Sequence, residues 1–167
     1  MPLSMYQASV PVFTRALGNL SKILDKGAAF AAARKIEPSV LINSRLAPDM
    51  LPLSRQVQIA ADMALRGSAR LAGAEVTSVP DTETNFPELQ ERIKNTLRSI
   101  ETFTADQIDG SEARQITLTV GGKDMTFTGQ DYLFNFVLPN LFFHSTAAYL
   151  ILRHNGVELG KADFLGA

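Results

Sequence analysis

The chain has 167 residues, 46% of them hydrophobic and 20% charged, which suits one domain with its own core and leaves no room for a second. Lys and Arg total 16 against 17 Asp and Glu, a net charge of -1, so there is no basic footprint for a polyphosphate backbone and nucleic acid is not an expected partner. Cysteine is absent, which removes disulfides, thiolate metal sites, iron–sulfur clusters and cysteine nucleophiles together.

Residues 3–26 place Tyr6, Val10, Phe13, Leu17, Leu20 and Leu24 at intervals of four and three, the spacing of one helical face. Pro11 removes a backbone donor there, so a bend is expected near residues 7–11, or a helix that properly starts at Ser9, with Gly27 as the stop. Residues 28–53 carry Pro38, Pro48 and Pro52 and read as a connector with one or two short helical turns. A second long helix follows, with Leu53, Val57, Ala60, Ala64, Gly67 and Leu71 on its seam and Gly73 at its end. Ala60, Ala64 and Gly67 are small enough to admit a close neighbour. Asp62 and Arg66, four apart, suggest a modest surface pair.

Residues 77–84 read as a loop. Asn85 with Glu88 offers a reciprocal helix start, Pro87 suits the first turn, and Phe86, Leu89, Ile93, Leu97, Ile100 and Phe103 then repeat at helical intervals. Thr104 and Gln107 form a further capping pair for a single turn closed by Gly110. Between 114 and 127 the alternation Arg-Gln-Ile-Thr-Leu-Thr-Val, the Gly121-Gly122 break and Lys-Asp-Met-Thr-Phe predict a β-hairpin, which needs the helices or another partner for support. A last helix runs from about Gly129 to Asn155 and is stopped by Gly156; the tail from 157 to 167 is expected to pack back over the bundle. The whole reads as an all-α four-helix bundle with a small hairpin inserted before the last helix, in one domain spanning 1–167, with the helix order open.

No stretch approaches the roughly 20 uncharged apolar residues of a membrane-crossing helix, and MPLSMYQASVPVF lacks the pattern of a secretory signal. A cytoplasmic protein with no membrane partner is the expectation. Phe134, Phe136, Phe142, Phe143 and Tyr149 surround much of the last helix, so a second subunit is expected to cover part of it, giving a homodimer.

The stripe of the last helix, positions 133, 137, 140, 144, 147, 151 and 154, contains Asn140 and His144 one turn apart on the face turned to the core. A buried polar group without a partner costs about 1–3 kcal/mol, so something polar must face them. Gln56, Gln58 and Asp62 on the second helix, with Asp49 just before it, are the candidates. One reading makes His144 a core histidine bonded to a side chain or carbonyl; the other makes Asn140 and His144 the wall of a small-molecule pocket. Catalytic zinc takes three protein ligands, and the chain has 2 histidines. His154 lies about 15 Å further along the helix, so it cannot share an ion with His144 and reads as a helix-end residue. No metal or other cofactor is expected; a zinc or nickel ion at His144 would have to draw on Asn140, Gln58, Asp62 or Asp49. Gly121-Gly122 precedes a strand and is no phosphate cradle, and no serine sits in a nucleophile elbow.

Three stretches, SMYQASVPVFTRALGNLSKILDKG, RLAPDMLPLSRQVQIAADMA and GQDYLFNFVLPNLFFHSTAAYLILRHNGVELGKADFLG, resemble the DinB-like helical-bundle superfamily of DinB/YfiT-type metalloenzymes, and within it a bacterial family of unknown function. The resemblance spans essentially the whole chain. It implies a four-helix bundle, often dimeric, with a metal held by one histidine of helix two and an H-x-x-x-H pair of the last helix. The corresponding segment here is Asn140-Leu-Phe-Phe-His144, and Gln56 or Gln58 stands where the helix-two histidine is expected. The implied functions are a small-molecule-binding or vestigial-site protein, a metal-dependent transferase or hydrolase acting on a small thiol conjugate, or a homodimeric interaction protein without a ligand.

Overall fold

The computed structural model describes residues 3–167. Helices α1 (Met5–Ala8) and α2 (Val10–Arg34) divide at Ser9, whose backbone at φ -118°, ψ -87° leaves the helical region. Ser9 Oγ donates to the Met5 carbonyl at 2.7 Å, and Pro11 falls in the first turn of α2, where a missing amide breaks no helical bond. The expected bend is there. Gly27, however, does not end the helix. A Cβ at this position would stand 3.1 Å from Leu152 Cδ2 and 3.3 Å from the Phe86 ring, so the glycine marks a close packing point, and the left-handed cap comes at Lys35 with φ 55°.

After the short helix α3 (Pro38–Ile42), α4 (Leu53–Ala72) runs to Gly73, which caps it with φ 69°. Gly67 is a second close packing point, since an added Cβ would lie 2.8 Å from Val137 Cγ1. Residues 74–84 carry no regular structure and lead to α5 (Phe86–Ile100). Asn85 Oδ1 accepts from the Glu88 amide at 2.9 Å. The Glu88 carboxylate turns to the Thr84 amide at 2.6 Å rather than to Asn85, so the reciprocal cap is offset by one residue. Helix α5 stops at Ile100, leaving Phe103 in the turn before α6 (Ala105–Ile108), where Gln107 Oε1 accepts from the Thr104 amide at 2.9 Å.

The hairpin pairs β1 (Gln115–Val120) with β2 (Lys123–Thr128) in antiparallel register from Gln115↔Thr128 to Val120↔Lys123. Gly121 and Gly122, at φ 58° and 78°, supply the two left-handed positions of its tight turn. It does not lie flat on the bundle. Its lower half is held, through buried Ile116, half-buried Leu118 and Phe127, whose ring stands 5.7 Å from Phe136 and 6.2 Å from Tyr132.

The last helix is interrupted. Helix α7 (Gly129–Tyr132) passes through a π-turn at Leu133–Val137, in which the Leu138 amide donates to the Leu133 carbonyl, into α8 (Leu138–His154). Pro139 lacks an amide and its ring crowds the preceding turn, so a widened turn just before it relieves the clash. The extra residue moves every later position around the axis. The buried face therefore runs from Leu133 and Val137 to Leu141, Ser145, Ala148 and Leu152, with Ala147 and Ile151 of the expected stripe buried beside it, while Asn140 and His144 sit half-buried at its edge. The regular 140/144 core stripe is thus corrected by one residue.

Residue pairs fix the helix directions. Gln56, Gly67 and Arg70 of α4 meet His144, Val137 and Tyr132, so α4 and α8 are antiparallel. Ser21 and Gly27 of α2 meet Gln90 and Phe86, so α2 and α5 are antiparallel, whereas α2 runs with α8, Phe13 lying level with Val137 and Gly27 with Leu152. The order is up-down-down-up, and residues 74–84 return the length of the bundle between two parallel helices. Helix α9 (Lys161–Leu165) packs back on α2 through Lys26–Asp163 at 2.6 Å and Asn19 Nδ2 to the Phe164 carbonyl at 3.0 Å. Among the described residues no helix is long and apolar enough to cross a membrane.

Candidate functional site

At the α4–α8 seam Gln56, 1% exposed in the first turn of α4, faces His144. The Gln56 amide is oriented by its other partner: Nε2 donates to the Leu51 carbonyl at 3.0 Å, which can only accept. Oε1 therefore turns to His144 Nδ1, 2.7 Å away, and since a carbonyl oxygen cannot donate, the ring nitrogen carries the proton. That leaves Nε2 with its lone pair. Burial, and secondarily the Arg55 charge, holds the imidazole below its ordinary pKa, so the ring is neutral near pH 7. Phe143 stands edge-on to it with centroids 5.1 Å apart.

The other residues singled out from the sequence lie differently. Asn140 Nδ2 donates to the Phe136 carbonyl of its own helix at 2.7 Å. Gln58, two positions after Gln56 and hence about 200° around α4, faces away from α8. Its Nε2 donates to Glu83 at 2.8 Å and its Oε1 accepts from Arg55 at 2.8 Å. Asp62 shares that side of α4, with Arg92 at 2.7 Å and Arg66 at 3.0 Å. Asp49 is exposed in the turn ahead of α4. The fold thus brings His144 and Gln56 together, and separates them from Gln58 and Asp62. His154 is exposed in the last turn of α8.

The Asp62–Arg66 pair is not a simple surface bridge. It belongs to a network centred on Arg92, whose side chain is 2% exposed and reaches Asp62, Asp81 at 3.1 Å, Glu83 at 3.0 Å and the Pro80 carbonyl at 3.0 Å. Arg55 also pairs with Asp81. Burial pulls the guanidinium pKa down, but the bonds from Glu83 and Asp62 outweigh it and hold the pKa above its ordinary value. These contacts strap the returning segment 74–84 to α4 and α5. The sequence signal for this buried cation was its place beside Leu89 and Ile93 on the apolar face of α5.

A model of a domain of unknown function, DUF1993, matches residues 5–165. The chain belongs to the DUF1993 family. A crystal structure of a DinB family member protein from Shewanella denitrificans is similar to it at a TM-score of 0.87 and 44% identity, covering 97% of this chain and 92% of that one. The DUF1993 chain is therefore a DinB-like bundle, mostly helical with one small hairpin. No curated protein matches.

The three-imidazole metal set implied by the DinB-like resemblance does not fit the residues of this DUF1993 protein. His144 is the one imidazole at the seam; Gln56 spends its oxygen on the ring, and Gln58 and Asp62 are held by Arg55, Arg92 and Arg66 on the opposite side of α4. Among the described residues no group of three or more His, Cys, Asp or Glu is placed to hold a metal ion.

Proposed function

We propose that this DUF1993 protein binds a small molecule at the α4–α8 seam, where the neutral His144 offers Nε2 as a hydrogen-bond acceptor in a site without the ligand set of a metal centre. The observation that carries the reading is the Gln56–His144 bond of 2.7 Å, which fixes both the ring orientation and the tautomer. A fixed acceptor selects a donor, so the ligand class is a small molecule bearing a hydroxyl or N–H group. The test combines elemental analysis of protein purified without chelator with a fragment screen read by NMR at His144. Fragments bearing O–H or N–H groups are expected to shift the His144 and Gln56 signals in wild type and not in His144→Phe, with no stoichiometric transition metal. Zinc or nickel at one equivalent, lost in His144→Ala, would overturn the reading, as would a screen that leaves both residues unperturbed.

A second reading concerns assembly. Pro139, Phe143, Thr146 and Leu150 form a stripe at helical spacing on the outer side of α8, with Phe143 59% and Leu150 39% exposed. The stripe carries no charge, so two copies can lie face to face about a two-fold axis without like-charge repulsion, which supports a homodimer. Sedimentation at low micromolar concentration is expected to give a dimer that Phe143→Glu converts to monomer; a wild-type monomer throughout would refute the dimer.

A further inference from the structure

A groove of about 490 Å³ runs between α2, α8 and α9, away from the His144 seam. Its long wall is α2 from Pro11 to Ile23, about 18 Å of helix at 1.5 Å per residue. Phe142 and Ser145 of α8 form the floor and the opposite wall, and Phe164 and Leu165 of α9 close one side. The volume falls within the range of small-molecule sites, about 300–1,000 Å³.

The lining is mostly apolar, with two neutral polar side chains, Asn19 and Ser145, one charged side chain, Arg15, and no carboxylate side chain. Arg15 is held at the rim: its Nη2 and Nε donate to the Leu165 carbonyl at 2.8 and 3.3 Å. A guanidinium carries five N–H donors, and these two bonds leave donors over for an anion. On the floor, Ser145 is 2% exposed and its Oγ has no hydrogen-bond partner. Its hydroxyl can rotate toward a ligand atom without breaking an existing bond, which few buried polar groups can do.

We propose that this groove binds an amphipathic monocarboxylate, its apolar body lying along α2 against Phe142 and Phe164 and its carboxylate at Arg15. A cationic head would meet Arg15 with no acid to offset it, and a wholly apolar ligand would leave the guanidinium unused. The site is separate from the His144 seam and does not depend on the reading given for it.

Isothermal titration of the full chain with decanoate and with 1-decanol tests the proposal, with amide NMR shifts at Ala16, Asn19 and Ser145 locating the ligand. Decanoate is expected to saturate one site and to bind about tenfold more tightly than the alcohol, the worth of a charge-assisted pair. Arg15→Gln, at an exposed position, is expected to lower decanoate to the affinity of the alcohol, and Ala16→Trp to block both. Equal affinities for acid and alcohol, an unchanged Arg15→Gln, shifts confined to other residues or no saturable heat would each overturn it. So would self-association abolished by Ala16→Trp with no heat from decanoate, which would give the groove to a second copy of the chain.

Discussion

Gln56 and His144, 88 positions apart in sequence, are joined by a hydrogen bond of 2.7 Å that makes one side of α4 complementary to one edge of α8. Burial, and secondarily the nearby Arg55 charge, favours the neutral ring over the imidazolium. The unfolded chain therefore takes up this proton at a higher pH than the folded one. Stability contributed at this site is present above the ordinary histidine pKa and is lost as pH falls below it toward the depressed folded value. The urea midpoint of wild type is expected to drop more between about pH 7.5 and about pH 5 than that of His144→Gln, which removes the titrating group. Equal drops would contradict the neutral, bonded ring.

Arg92 is the most consequential charge in the bundle. Arg92→Ala leaves Asp62 and Glu83, side chains 15% and 11% exposed, without their buried cation. Urea unfolding is expected to show a loss of about 3–5 kcal/mol. Asp81→Ala removes a partner that is 36% exposed, and its loss is expected to stay below about 1 kcal/mol. Equal losses for the two variants would show that the network is not centred on Arg92.

Gly67→Ala places a methyl 2.8 Å from Val137 Cγ1, against the π-turn. A destabilisation of about 1–3 kcal/mol is expected, as for other overpacked contacts. Adding Val137→Ala is expected to cost less than the sum of the two single changes, since each relieves the crowding of the other. Full additivity would rule out the close approach as the cause.

Ser145→Ala removes a buried hydroxyl that has no partner in the free protein. Its thermal midpoint is expected to equal or exceed that of wild type, because desolvating that hydroxyl returns no bond. A loss above about 1 kcal/mol would mean that the hydroxyl is satisfied in solution.

The bundle was legible because its long helices carry regular apolar stripes, and Asn85, Gly73 and Gly121-Gly122 occupy positions that local chemistry dictates. What the periodicity could not carry was the π-turn. One inserted residue before Pro139 rotates the stripe, so Asn140 and His144 fall at the edge of the core and Leu141 and Ser145 take the buried places. Gly27 misled for a related reason: a glycine needed for the approach of Leu152 looks, in sequence, like a helix stop. Of the partners offered for His144, Gln56 was within the set, but choosing it over Gln58 and Asp62 required knowing which side of α4 faces α8. The Arg92 network depends on the return path of residues 74–84, which follows from the up-down-down-up order and from no local pattern.

The ring nitrogen resonances of His144 at about pH 7 test the neutral acceptor most directly, since they report tautomer, charge and coordination together. A protonated Nδ1 beside an unprotonated, metal-free Nε2, with the pattern lost in Gln56→Leu, is the predicted result. A proton on Nε2, a fully protonated ring, or an Nε2 signal displaced by a bound metal and restored by chelator would contradict it.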